Sequence, residues 1–227
     1  MDRLRGLRDA HQAWVADRLD ESTVDPSQLV YASAIDSAVQ LVGLASWPHW
    51  TYRMTDPKLS WLEEQLDAAG EFRRRMFVAD WPATHPEVEI ALLRFSWLLS
   101  EAASEFSGRA DERQDVGDLH VFRRYKTNYT SEYWRAQREF TAWLARYEGM
   151  LFEATKAGNW VREAWRAAGN PAFLVNERLH LVTGPHNDLR EHITVLEYEP
   201  EERDRLLEAG RERLDAIPAL VLERSTA

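Results

Sequence analysis

"FLVNERLHLVTGPHNDLREHITVLEY", Phe173 to Tyr198, is the stretch whose reading decides the fold class. Two short apolar runs flank Gly184-Pro185-His186-Asn187, residue types that favour a turn. The β-branched and aromatic content of "HITVLEYE" favours strand, so the stretch reads as an antiparallel hairpin. The competing reading makes the same runs short buried helices, and periodicity alone does not separate the two. The hairpin gives a mainly α, bundle-like domain with a small antiparallel β element in its C-terminal half. The helices would give an all-α protein. The first is the expectation.

Outward from that stretch, helical signals dominate. Downstream, Leu206, Leu207, Gly210 and Leu214 line an amphipathic helix from Glu201 to about Ala216. Upstream, a long helix begins near Thr130 with Phe140, Trp143, Leu144, Tyr147 and Leu151 on its buried face. It either continues through "KAGNW" to Ala168 or bends at Gly158. "LHVFRRY" before it favours strand. "SGRADERQDVGD" is polar and contains glycine, so the chain reads as a single domain, 1–227, with a sub-module boundary near 108–118.

Four further helices are expected in the N-terminal half. Leu4 to Leu19 recur at helical spacing, and Asp25-Pro26 is a cap and first helical residue for a helix running to about Ala45. That helix is lined with Ala32, Ala34, Ser37 and Ala38, which suits a central position. A third starts near Pro57, with Leu59, Leu62, Leu66 and Phe72 on one stripe, and a fourth near Pro86 ends at Phe106.

Composition bounds the function. The 227 residues are 44% hydrophobic and 29% charged, as in an ordinary globular protein able to bury a core. No cysteine is present, which removes disulfides, thiol nucleophiles and Cys-based zinc sites. "MDRLRGLRDAHQAW" lacks the apolar region of a secretory signal, and the apolar runs are short, so a soluble cytoplasmic protein with no membrane association is expected. The formal charge of -10 argues against general coating of nucleic acid.

Positive charge is nonetheless concentrated locally, with 11 Lys/Arg against 8 Asp/Glu over residues 118–190. In "HVFRRYKTNYTSEYWRAQ", Arg123, Arg124 and Lys126 precede a helix start, and Tyr129 and Ser131 lie beside it. A helix start exposes unpaired N–H groups and the positive dipole end, which suits a phosphate or carboxylate. The competing reading is a Thr130 or Ser131 cap with arginines laid along apolar surface. Arg73 to Arg75 form a second cluster, but successive helical residues point about 100° apart and cannot all face one ligand. A solvated helix end is expected there.

His180, His186 and His192 are the candidate catalytic or metal-binding residues, with Glu177 and Asp188 close by. A five-residue loop, 184–188, would set His180 opposite His192, near enough at Cβ to share a ligand. A four-residue loop or a helix would part them. No paired ligand motif is present, so no metal and no cofactor are expected. Arg113 and His120 lie across a glycine-containing segment and assign no family. No G-x-S-x-G elbow or glycine-rich phosphate loop occurs. The aromatic stretch "WPHWTY" reads as a plug at the end of the helices, with the lining of an apolar pocket or a partner surface as the alternative.

Two function classes follow. The first is a non-catalytic helical module that binds a protein partner or an anionic, phosphate-bearing ligand. The second is a hydrolase or nuclease acting on a phosphate-containing substrate through the histidines. Oligomeric state is open.

Overall fold

Asp25 starts the first described helix as its sequence suggests. Its carboxylate accepts from Ser27 N at 2.9 Å, and Pro26 fills the first helical position, where no N–H is needed. In the computed structural model the described residues are 25–112, 119–122, 130–184 and 190–212. The helix expected over residues 4–19 lies outside them. Helix α1 spans Pro26–Leu41 and stops short of the expected Ala45, because Gly43 takes a left-handed φ of 62°. A 3-10 turn (Leu44–Ser46) leads into the short helix α2, Trp47–Thr51.

The third helix differs from expectation at its start. Residues Ser60–Leu62 are strand β1, and helix α3 runs Glu63–Val78 rather than from Pro57. The extended backbone inserts Trp61 fully into the core, where its indole donates to Tyr147 OH at 2.7 Å, and that hydroxyl donates on to Met54 O. Gln65 then receives the N–H of Leu62 on its side-chain oxygen, closing the first turn of α3. Helix α4 is Pro86–Ser107.

Part of the polar stretch after α4 is also strand. Ala110–Glu112 form β2 and Leu119–Phe122 form β3, giving a three-stranded antiparallel sheet in the order β1-β3-β2. Trp61 stands opposite His120, and Asp111 opposite Val121. Neither β1 nor β2 has enough β-branched sequence to signal a strand.

Helix α5 runs without a break from Thr130 to Ala168, 39 residues. Gly158 is therefore not a bend. A side chain there would run into Leu179 Cδ2 and lie 3.3 Å from Leu44 Cδ1, so the glycine admits its neighbours against the helix. The broadest helix contact is α4 against α5, not one involving α1, which packs on α3 and α4. The small residues of α1 allow close approach, but the large buried rings lie elsewhere.

The expected hairpin forms. Strand β4, His180–Thr183, pairs antiparallel with β5, His192–Val195, and helix α6, Pro200–Glu212, follows. The chain is thus mainly helical with minor antiparallel β structure, as the sequence indicated. Buried apolar residues from Tyr31 to Leu206 make one core cluster. Five tryptophans, Trp47, Trp61, Trp143, Trp160 and Trp165, are completely buried in it. In "WPHWTY", Trp47 is completely buried, stacks on Trp50 at 5.7 Å and donates its indole N–H to Thr155 Oγ1 at 2.9 Å, as a plug would, while Tyr52 stays exposed.

Candidate functional site

The register of the hairpin corrects the histidine pairing. His180 stands opposite Val195, and His192 opposite Thr183. Positions 180 and 183 differ by three, so the two histidines leave opposite faces of the sheet. The physical reason is the connection, which spans 184 to 191 rather than 184 to 188. Both of its ends are tied to the turn before β1 instead of closing on each other. Gly184 N donates to Asp56 O at 3.2 Å, and Lys58 Nζ donates to Gly184 O at 2.9 Å. Glu191 is held by Tyr52 OH at 3.0 Å and by Lys58 at 3.7 Å. His186 and Asp188 lie outside the described residues. No group of three or more potential metal ligands occurs among the described residues.

One face of α5 anchors the hairpin. Asn159, Arg162 and Arg166 are spaced i, i+3, i+7, a single helical stripe. Asn159 is fully buried: its side-chain oxygen accepts from Leu179 N, and its nitrogen donates to Leu179 O and Leu196 O, each at 2.8 Å. Leu179 and Leu196 are the next pair in the register of β4 and β5. The Asn159 amide therefore replaces the backbone rung that would continue the ladder. Arg162, only 5% exposed, donates to Leu174 O at 2.8 Å and Val175 O at 3.4 Å, and Arg166 Nε donates to Pro171 O at 3.0 Å. These bonds hold the irregular segment 169–179 against the helix.

Between that segment, the hairpin and the start of α2 lies a cleft of about 750 Å³. Arg162, Arg166, Arg178, Glu177 and His180 line it together with aliphatic side chains. Arg178 Nε is 3.4 Å from Glu197 Oε1, and His180 Nδ1 is 3.2 Å from Arg178 O. Burial, then the like charge of Arg166, lowers the pKa of Arg162; Arg178 adds to this, while Glu163 and Glu197 oppose it. The cleft thus holds three guanidinium groups against one lining carboxylate, one of the three nearly out of water. An anion entering it would relieve that repulsion.

Of the residues expected to bind or react, His180 lines this cleft beside Glu177, and His192 does not. Arg123, Arg124, Lys126 and Tyr129 lie outside the described residues. Ser131 is in the first turn of α5, and its side chain is likewise outside them. Arg74 and Arg75 both bind Glu71, at 2.7 Å, as a solvated helix end should. Arg162, Arg166 and Arg178 were not singled out by sequence. The available signal was the spacing of Asn159, Arg162 and Arg166, which looks like any polar helix face until the hairpin covers it.

No single helix among the described residues is long and apolar enough to cross a membrane. No protein-family model matches the chain, and no curated protein and no solved structure is significantly similar to it.

Proposed function

We propose that the protein is a non-catalytic binding module whose cleft seats an anionic group, phosphate or carboxylate, of a small molecule or a protein partner. The observation that carries the reading is Arg162. Its guanidinium is almost fully buried and hydrogen-bonds to neutral carbonyl oxygens, with Arg166 and Arg178 lining the same cleft. Charge-assisted bonds from guanidinium to phosphate or carboxylate are the strong, geometrically selective ones. The proposed compartment is the cytoplasm, which suits a chain without cysteine.

The test is thermal shift with inorganic phosphate, pyrophosphate and citrate at low salt. A ligand at ten times its Kd stabilises the fold by about 1.4 kcal/mol, or about 3–6 °C for a chain of this size. Arg178→Ala should remove the shift, and Arg74→Ala, at the solvated end of α3, should not. Equal responses in both variants would refute the assignment of the cleft.

His180 beside Glu177 in the cleft favours one second reading, a hydrolase of a phosphate-containing substrate with His180 as acid/base. Its signature is hydrolysis of p-nitrophenyl phosphate that disappears in His180→Ala. The stretch with Arg123, Arg124, Lys126, Tyr129 and Ser131 is proposed, from its sequence, as a second anion site.

A further inference from the structure

We propose that the anionic group in the cleft is carried by an acidic, extended peptide segment of another protein, which adds to the sheet as a third strand along the free edge of β5. The proposal rests on the reading of the cleft as an anion site and names what brings the anion there.

The direction of the backbone groups on β5 follows from its neighbour. Val182 O accepts from Thr55 Oγ1 at 2.9 Å, and Gly184 N donates to Asp56 O. The even-numbered residues of β4 therefore turn their N–H and C=O away from β5. In an antiparallel ladder the residues opposite them do the same. Ile193, opposite Val182, and Val195, opposite His180, thus direct their N–H and C=O groups to the outer edge. No partner for those groups occurs among the described residues. An edge with unpaired rungs is a template for another strand, and a two-stranded sheet is stabilised by a third.

The side chains of that edge point to what it takes. Ile193 and Val195 share one face of the sheet and are 68% and 49% exposed. Val195 and His180 also line the cleft, as does Val175, itself 49% exposed. The apolar strip is therefore continuous with the arginines. An extended peptide with alternating apolar residues would cover Ile193 and Val195, and an adjoining Asp or Glu would reach Arg178 and Arg166.

Other ligands fit less well. Among the lining residues no Phe, Tyr or Trp offers a base an open ring face, since Trp47 is completely buried; the imidazole of His180 is the one other aromatic ring there. A second copy pairing through its own β5 would bring the adjoining Glu191 and Glu197, but these are already engaged within their own chain, Glu191 by Tyr52 and Lys58 and Glu197 by Arg178.

The test uses the full chain, a short-peptide display library and substitution at Ile193. Ile193→Pro removes an outward N–H but no rung to β4, and its fixed φ suits an edge strand. Its melting temperature should stay near that of the wild type. Panning should enrich peptides with alternating Val, Ile or Thr beside Asp or Glu. The synthetic form of an enriched peptide, followed by fluorescence anisotropy, should lose binding in Ile193→Pro and weaken by about tenfold or more in Arg178→Ala.

Unchanged binding to Ile193→Pro would overturn the strand pairing. Enrichment without acidic residues, or indifference to Arg178→Ala, would overturn the anion reading of the cleft together with this proposal. Phosphate binding with no peptide enriched would overturn this proposal and leave the anion site standing. Self-association in sedimentation, abolished by Ile193→Pro, would give the edge to a second copy and also overturn it.

Discussion

Replacing Asn159 by leucine should loosen the hairpin and lower the stability of the whole protein. Leucine keeps the γ-branched outline with slightly more bulk but supplies no donor or acceptor. Three bonds of 2.8 Å are lost, leaving Leu179 N, Leu179 O and Leu196 O without their partner. An unsatisfied buried backbone group costs about 1–3 kcal/mol. Full additivity would overstate the loss, since the three groups share one site and Leu196 O is only part-buried. The expected destabilisation is about 3–4 kcal/mol in urea unfolding, equivalent to roughly 6–16 °C in Tm. Amide exchange separates the cause from a general packing defect. The ladder amides of Leu181, Thr183, His192 and Thr194 should exchange faster relative to those of the α4–α5 core. Asn159→Ala, which adds a cavity, should lose only modestly more. A Tm within about 2 °C of wild type, with unchanged exchange in 180–183 and 192–195, would refute the view that this amide stands in for the missing rung.

Arg94 is 3% exposed and donates to Tyr198 OH at 2.6 Å and Glu153 at 3.0 Å, so Arg94→Met strands a carboxylate; unfolding should show a loss of about 3 kcal/mol, the low end for a broken buried pair, because Lys156 still reaches Glu153 at 3.1 Å. Glu71 has its pKa lowered from 4.5 to about 2 by hydrogen bonds from Arg74 and then Arg75. A depressed carboxyl stabilises the fold above its unfolded pKa, and the contribution disappears as pH falls from about 4.5 to about 2. NMR titration should show that midpoint, and Glu71→Gln should flatten this part of the acid-stability curve. If residues 123–131 hold a second anion, Arg178→Ala should leave part of the phosphate shift instead of removing it, and adding Arg124→Ala should remove the remainder, which a double variant measures.

What was legible in the sequence followed from strong local signals. Asp25-Pro26 fixed a helix start because cap and fixed φ act within two residues. Val182, Ile193 and Val195 gave strands because β-branched residues concentrate there. The register was not legible, since the connection is held by Lys58 and Tyr52 from more than a hundred positions away. Strands β1 and β2 were missed for a related reason: Ser60–Leu62 is extended because Trp61 has a buried partner in Tyr147, not because of local preference. The cleft is the extreme case. Its arginines sit on α5 and on an irregular segment, and only the docking of 169–179 brings Arg178 beside Arg162 and Arg166.

That docking couples stability to binding. Arg162 and Arg166 satisfy the carbonyl oxygens of Pro171, Leu174 and Val175, while the same guanidinium groups line the cleft. Guanidinium carries five N–H donors in a fixed fork, so bonds to the segment do not exhaust it. Asn159, one turn earlier on the same stripe, sets where His180 and Val195 stand on the opposite wall. A ligand touching both walls would therefore stabilise the segment and the hairpin together. Its binding should slow exchange at Leu181 and Thr194, neither of which it would contact, as well as in the cleft. Protection confined to the 169–179 segment would mean that the two walls do not act as one site.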